Sequence, residues 1–290
     1  MVPTAAFVIN RTLVRDPRRL IRQCTEASKA SGWDPAFVPT GRAAIASGAD
    51  LVFAAGGDGT VQGCARALAS TGVPLAIIPL GTANLTARAL GIPGRTSRAI
   101  ETGFGGRDHR IDLARTSGAD VTDETIFTAM AGIGLDATVV RATRPRNKRR
   151  LGWFSYAVAG MARLSAPRAR FTIRLDDGEP LSRTARSVVV GNVGLLPGGF
   201  TLLPSASLDD GLLDVGILAP ASPVDWAIVA AQVMSRDDRK HRRLERYQAR
   251  HVEISSEAEL PRQADGELLA PGRSLSVSVW PGALIVRRPV

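Results

Sequence analysis

Leu51-Val52-Phe53-Ala54-Ala55-Gly56-Gly57-Asp58-Gly59-Thr60 opens as an apolar run and breaks into three glycines, an aspartate and a threonine. A helix-period segment follows, with Val61, Cys64, Ala65 and Leu68 on one face. The pattern predicts strand, tight turn and helix N-terminus. Glycine lets a ligand approach the backbone closely. Unpaired N–H groups and the helix dipole together favour an anion, most often phosphate. A carboxylate in such a turn repels phosphate unless a magnesium ion lies between them, so Asp58 implies Mg2+ if phosphate binds here. The plainer reading is an ordinary βα turn with Asp58 and Thr60 capping the helix.

A second turn of the same kind follows in Leu75-Ala76-Ile77-Ile78-Pro79-Leu80-Gly81-Thr82-Ala83-Asn84. Again an apolar strand ends in small polar residues, and Leu85, Ala89 and Leu90 begin a helical stretch. Strands expected at 5–10, 36–39, 51–55 and 75–79 alternate with helices at 16–30 and 41–48. Asp16 stands at the cap and Pro17 at the first position of the former. This order predicts a doubly wound parallel α/β domain whose turns gather at one sheet edge, where open α/β sheets bind ligands.

The pattern changes near 103–113. Gly103-Phe104-Gly105-Gly106 reads as a turn, and short strand-like runs then dominate, at 125–130, 170–175, 185–191, 213–218, 251–256, 274–280 and 283–288. They predict a C-terminal antiparallel β-sandwich-like domain, interrupted by helices near 152–164 and 222–234. The expected division is 1–113 and 114–290, with the segment 280–290 free to pack back on the first domain. No long Ser/Gly-rich linker separates them, so a cleft between tightly packed domains is expected.

The chain has 290 residues and a net charge of +10, from 37 Lys and Arg against 27 Asp and Glu. Such a balance suits a polyanionic partner, and arginine use can equally reflect genomic bias. Basic residues concentrate at 141–150 and 236–250. Solvated faces are the default for such runs, and contact with anionic headgroups is the functional alternative. Leu151, Trp153, Phe154 and Tyr156 follow the first run and suit an interfacial face or the core of the β domain. No nucleic-acid recognition motif accompanies the basic runs, and nucleic acid is not expected as a partner. Cys24 and Cys64 read as core residues. No secretory leader pattern opens the chain, and no apolar run reaches bilayer-spanning length, so a cytoplasmic protein with peripheral membrane contact is expected. A homodimer is an open option.

Two more stretches carry carboxylates. Leu208-Asp209-Asp210-Gly211-Leu212-Leu213-Asp214 reads on its own as a turn before a strand. Gln263-Ala264-Asp265-Gly266-Glu267 lies between two strand-like segments and reads as a hairpin turn.

Taken together, these residues resemble the diacylglycerol kinase catalytic family, which includes bacterial lipid kinases and sphingosine kinases. Gly56-Gly57-Asp58-Gly59-Thr60 is shared with NAD kinases and, loosely, phosphofructokinases. Pro79-Leu80-Gly81-Thr82-Ala83-Asn84 with Ala87-Arg88-Ala89-Leu90-Gly91-Ile92-Pro93 points more narrowly to the lipid kinases. The resemblance implies ATP across both turns, held by Gly56, Gly57, Asp58, Gly59, Thr60, Gly81, Thr82 and Asn84, with Asn10 and Thr40 also at the nucleotide. Pro204, Ala206, Asp210, Gly211 and Asp214 match a recurring family stretch. There the resemblance gives Asp210 a role in holding Mg2+, with backbone carbonyls near Ser207 and Leu212 as further ligands. Asp-Gly-Glu at 265–267 implies Glu267 as general base, while Asp58 serves the magnesium and phosphate end.

Three departures stand out. Leu85 occupies a place where many bacterial members carry Asp. Arg11-Thr12-Leu13-Val14 replaces the usual Pro- and Gly-containing loop after Asn10, and Gln62-Gly63 replaces Asn-Glu after the first motif. The implied function is ATP-dependent phosphorylation of a lipid hydroxyl at an anionic membrane surface, with diacylglycerol first among acceptors. A sphingoid-base or other lipid kinase, an NAD-type kinase and a non-catalytic nucleotide- or lipid-binding protein are the alternatives.

Overall fold

A computed structural model describes residues 2–117, 125–134, 168–197, 199–235 and 242–290. The first basic run, the aromatic residues after it and the helix expected at 152–164 lie outside the described residues, as do 236–241 of the second run. The chain divides into two compact units, 1–113 with 281–290, and 114–280.

The first unit begins with β1 (Thr4–Ile9), α1 (Pro17–Ala30), β2 (Asp34–Val38), α2 (Gly41–Ala46), β3 (Leu51–Gly56), α3 (Asp58–Leu68) and β4 (Leu75–Pro79). A short α4 (Leu85–Ala89) and α5 (Thr96–Gly105) follow. Its strands run parallel in the order β2-β1-β3-β4. β1 lies inside the order, so the winding reverses there and the sheet is doubly wound. Each helix starts where the chemistry allows it. Asp16 caps α1 by accepting from the Arg19 N–H at 3.0 Å, with Pro17 at the first turn. Leu20, Cys24 and Ser28, four residues apart, form its buried stripe. Phe7 stacks on Phe53 and Phe37 with ring centroids 4.5 and 5.4 Å apart, and Phe104 of α5 continues the row 4.8 Å from Phe53.

One expectation fails here. The turn read at 103–106 is the end of a helix, because α5 runs through Gly105. Gly103 is a packing glycine: a Cβ there would lie 2.1 Å from the Phe53 ring. A glycine placed to admit a neighbouring ring looks the same in sequence as one placed to turn the chain.

The second unit is antiparallel and β-rich. It contains the end of β5 (Arg107–Ser117), β6 (Thr125–Phe127), β7 (Met130–Gly134), β8 (Ala169–Leu175), β9 (Leu181–Ala185), β10 (Ser187–Gly191) and β11 (Leu213–Leu218). There follow α6 (Pro223–Ser235), β12 (Leu244–Ala249), β13 (His251–Ala264) and the greater part of β14 (Glu267–Arg288). Within it the strand order is β12-β11-β10-β7-β13-β14, and β8 pairs with both β13 and β9. Phe127, Ile133, Phe171, Val190, Val215 and Val277 belong to the principal core, and Val229 and Val233 of α6 join Leu202, Leu203 and Leu244 in a smaller one. In sequence β12 stands out only as part of a basic run. Its Arg246 points inward, 6% exposed, and donates to the Leu202 carbonyl at 2.9 Å, while Arg243 pairs with Asp225 at 2.8 Å. The side chains of these two arginines are structural, which corrects the reading of the whole run as a solvated face.

Candidate active site

The two glycine-containing turns form one structural knot. β3 and β4 are parallel neighbours, with Gly56 opposite Pro79. The Leu80 N–H donates to the Gly56 carbonyl at 2.8 Å, carrying the pairing one step past the strand. Beyond it the backbones abut: a Cβ on Gly81 would lie 2.6 Å from Gly57 Cα, and one on Gly57 would lie 3.3 Å from Gly81 Cα. Gly56 meets a different neighbour, since its Cβ would fall 2.2 Å from Thr60 Oγ1. Close approach therefore requires glycine at 56 and 81, while at Gly57 the fit is merely tight.

α3 begins at Asp58 with Gly57 as its N-cap, and no side chain caps it. The plain reading of Asp58 and Thr60 as caps is thus not what the structure holds. Asp58 instead reaches across to the second turn, where its Oδ1 accepts the Leu85 N–H at 2.6 Å. The first turn of an α-helix leaves backbone N–H groups unbonded within the helix. Without a side-chain cap, these donors and the dipole suit an anion such as phosphate.

The other residues of this half are placed as follows. Asn84 sits in the left-handed region at φ 47° and closes a ring with Gly81: its Oδ1 accepts the Gly81 N–H at 2.9 Å and its Nδ2 donates to the Gly81 carbonyl at 2.8 Å. Asn84 therefore shapes the turn itself, and Thr82 lies exposed within it. Asn10 directly follows β1 and donates through Nδ2 to Thr60 Oγ1 at 3.4 Å, while its Oδ1 accepts from the Thr12 hydroxyl at 2.7 Å. Asn10 and Thr60 are thus brought together at the carboxyl edge of the sheet. Thr40 caps α2, its hydroxyl accepting the Ala43 N–H at 3.2 Å.

In the second unit, Asp210 is exposed, and its Oδ1 accepts the Leu212 N–H at 3.0 Å, an Asx turn. Ser207 donates to Asp209 Oδ1 at 2.5 Å. Carboxylate, hydroxyl and carbonyl oxygens are the donor set a hard cation prefers, and in that respect this loop fits magnesium. Among the described residues no group of three or more His, Cys, Asp or Glu side chains could hold a metal, so an ion here would rest on Asp210 and main-chain oxygens.

Glu267 is exposed and is the first residue of β14, paired with Ala264 across the turn. Asp265 and Gly266 form that turn with φ of +48° and +80°, the double left-handed geometry of a type I′ hairpin. The plain hairpin reading of 263–267 is correct as local structure. Sequence reasoning passed over Asp265. Its carboxylate accepts four hydrogen bonds, from Thr128 N and Oγ1 and from the N–H groups of Ala129 and Met130. Burial pushes its carboxyl above the ordinary carboxylate range, and the four donors pull it back the other way.

Comparisons with known proteins match the chain almost end to end. The diacylglycerol kinase catalytic domain family matches residues 22–116, and the YegS C-terminal NAD kinase beta sandwich-like domain matches 129–288. A protein from Pseudomonas fluorescens named probable lipid kinase YegS-like is 32% identical over 280 residues, covering 93% of this chain and 90% of that relative. A protein from Mycobacterium tuberculosis named diacylglycerol kinase is 32% identical over 250 residues, covering 85% and 79%. Among solved structures, a diacylglycerol kinase from Bacillus anthracis superposes with a TM-score of 0.76 at 20% identity, covering 98% of this chain and 96% of that one. An NAD kinase from Archaeoglobus fulgidus in complex with ATP gives a TM-score of 0.56 at 14% identity, covering 98% and 93%, a likeness of fold alone.

Proposed function

The chain belongs to the diacylglycerol kinase catalytic family, with a YegS-type C-terminal domain, and on that premise we propose that it is a lipid kinase transferring the γ-phosphate of ATP to a lipid hydroxyl, with diacylglycerol as the first acceptor to test. The observation that carries this reading is the Gly57–Gly81 contact: it brings two small-residue turns together beside an uncapped helix N-terminus. The donors of that N-terminus would bind the phosphates, while Thr60, Thr82 and Asn10 would orient the nucleotide around them.

Glu267 would act as general base. The acceptor O–H bond breaks and its proton passes to Glu267; the acceptor oxygen bonds to the γ-phosphorus; the bond from that phosphorus to the bridging oxygen breaks, and ADP leaves. A carboxylate of ordinary basicity suffices because the proton moves late in a loose phosphoryl transfer. Magnesium, when bound, would offset phosphate charge. Asp210 with the main-chain oxygens of Ser207 and Leu212 would hold it, and Asp58 would serve the phosphate end.

The test is transfer of labelled γ-phosphate to diacylglycerol in mixed micelles, run beside sphingoid bases and NAD. Glu267→Gln should lower turnover by about two orders of magnitude or more with the fold intact. Labelled NADP as the product would assign the chain to soluble chemistry instead. Magnesium-dependent ATP binding with no labelled product would make it a binding protein, a reading that Leu85 favours.

We further propose that the reaction takes place on an anionic membrane surface. Net charge supports this, as does α6, whose exposed positions Val224, Ala227, Ala230, Ala231 and Met234 are all apolar. No described helix is long and apolar enough to cross a membrane. Flotation with phosphatidylglycerol vesicles but not with phosphatidylcholine vesicles is the expected result, and equal flotation with both would remove the electrostatic part.

A further inference from the structure

The tip of the β13–β14 hairpin is tied down more firmly than a hairpin requires. Loop tips are where chain motion ordinarily concentrates. Here the Asp265 carboxylate accepts from Thr128 N at 2.8 Å, Thr128 Oγ1 at 3.0 Å and the N–H groups of Ala129 and Met130, both at 2.9 Å. The Asp265 N–H donates to the Met130 carbonyl at 2.8 Å, and the Gly266 N–H donates to Gln263 Oε1 at 2.9 Å. The strands behind the tip pair in register, Ala264 with Ala131 and Gln263 with Gly132. The tip is held from the adjoining strand as well as from its own hairpin.

Turn geometry does not account for an aspartate at this place. In a type I′ turn the first left-handed position is filled at least as well by asparagine. Four donors around one side chain are the distinguishing fact. Asparagine offers one acceptor oxygen and two N–H donors, whereas an ionised carboxylate only accepts. The position is thus built for a carboxylate, and Glu267 follows two residues later.

We propose that Asp265 is a positioning residue for phosphoryl transfer: by locking the hairpin tip onto residues 128–130 it holds Glu267 where the acceptor hydroxyl arrives. This rests on the role of Glu267 given above. A general base displaced by about 1 Å loses on the order of a hundredfold in rate. Nucleotide binding belongs to the other unit and should not respond.

The experiment measures Glu267→Gln, Asp265→Asn, Thr128→Val and Thr128→Ser side by side for kcat, ATP KM, ATP Kd and melting temperature. Asp265→Asn keeps the turn and the side-chain volume but sets an NH2 group against N–H donors. It should lower kcat about tenfold to a hundredfold with ATP KM and Kd unchanged. Thr128→Val removes one donor and should lower kcat several-fold, and Thr128→Ser should restore it. If Glu267→Gln keeps wild-type turnover, the assignment of the base fails. If Glu267→Gln is inactive while folded Asp265→Asn keeps wild-type kcat, the positioning role alone is overturned. Should Asp265→Asn not fold, the threonine pair decides, and equal kcat in Thr128→Val and Thr128→Ser overturns the proposal.

Discussion

Replacing Gly81 by alanine tests the knot between the two glycine-containing turns with a single methyl group. Gly81 is not among the residues with positive φ, so alanine meets no backbone strain there and any cost is contact. The added Cβ would lie 2.6 Å from Gly57 Cα and 2.8 Å from Asn84 Oδ1. Carbon atoms pack at about 3.5–4.0 Å, so the turns must part by about 1 Å. The nearest obstacle is backbone and cannot rotate aside. Overpacking of this kind costs about 1–3 kcal/mol, each kcal/mol lowering the melting temperature by roughly 2–4 °C in a protein of similar size. The effect on function should be larger, since a shift of about 1 Å at a site that positions reacting groups costs on the order of a hundredfold in rate. Calorimetric titration with ATP, scanning fluorimetry and labelled-phosphate transfer read the three quantities. Gly63→Ala is the control: it lies exposed in α3, and a Cβ there meets nothing within 4 Å. It should raise stability by up to about 1 kcal/mol through helix propensity, with ATP binding unchanged. Wild-type ATP affinity and turnover in Gly81→Ala would refute the reasoning, because the turns would then not need their observed contact.

Two further outcomes follow from the structure. Asp58 has a structural contact as well as a charge, so its variants should separate the two: Asp58→Asn can still accept from Leu85 N–H and should melt near wild type while losing turnover, whereas Asp58→Ala should lose both; equal melting temperatures would show that the contact contributes nothing. Burial pushes the thiols of Cys24 and Cys64 from 9.0 up to about 12. Their contribution to stability is full below about pH 9 and is lost as pH rises toward 12, by up to about 1.4 kcal/mol per pH unit per thiol, because the unfolded chain releases protons that the folded one keeps. Denaturant midpoints at pH 8 and pH 10 measure this, and prompt reaction of either thiol with a disulfide reagent in the folded protein would contradict it.

The fold was legible where local pattern and tertiary structure agree. Apolar runs such as Leu75-Ala76-Ile77-Ile78 could only be buried parallel strands once helical segments alternated with them, and β3 and β4 formed where expected. The Asp16-Pro17 start of α1 was equally readable, because capping depends on neighbours in sequence. Residues 103–106 read as a turn but end α5, because Gly103 answers to the Phe53 ring rather than to the local chain. β12 is hidden because its buried positions are Leu244, Arg246 and Ala249, and a buried arginine masks the apolar pattern.

The candidate site divides in the same way. Its residue types and their order along the chain were in the sequence alone, since a glycine turn after a buried strand creates open N–H groups wherever it occurs. Tertiary structure alone decided that Asp58 reaches the Leu85 N–H 27 residues away and that Asp265 gathers donors from Thr128, 137 residues back. Such contacts depend on which strands become neighbours. That choice is made by the packing of whole faces, and it leaves no mark on the few residues that end up touching.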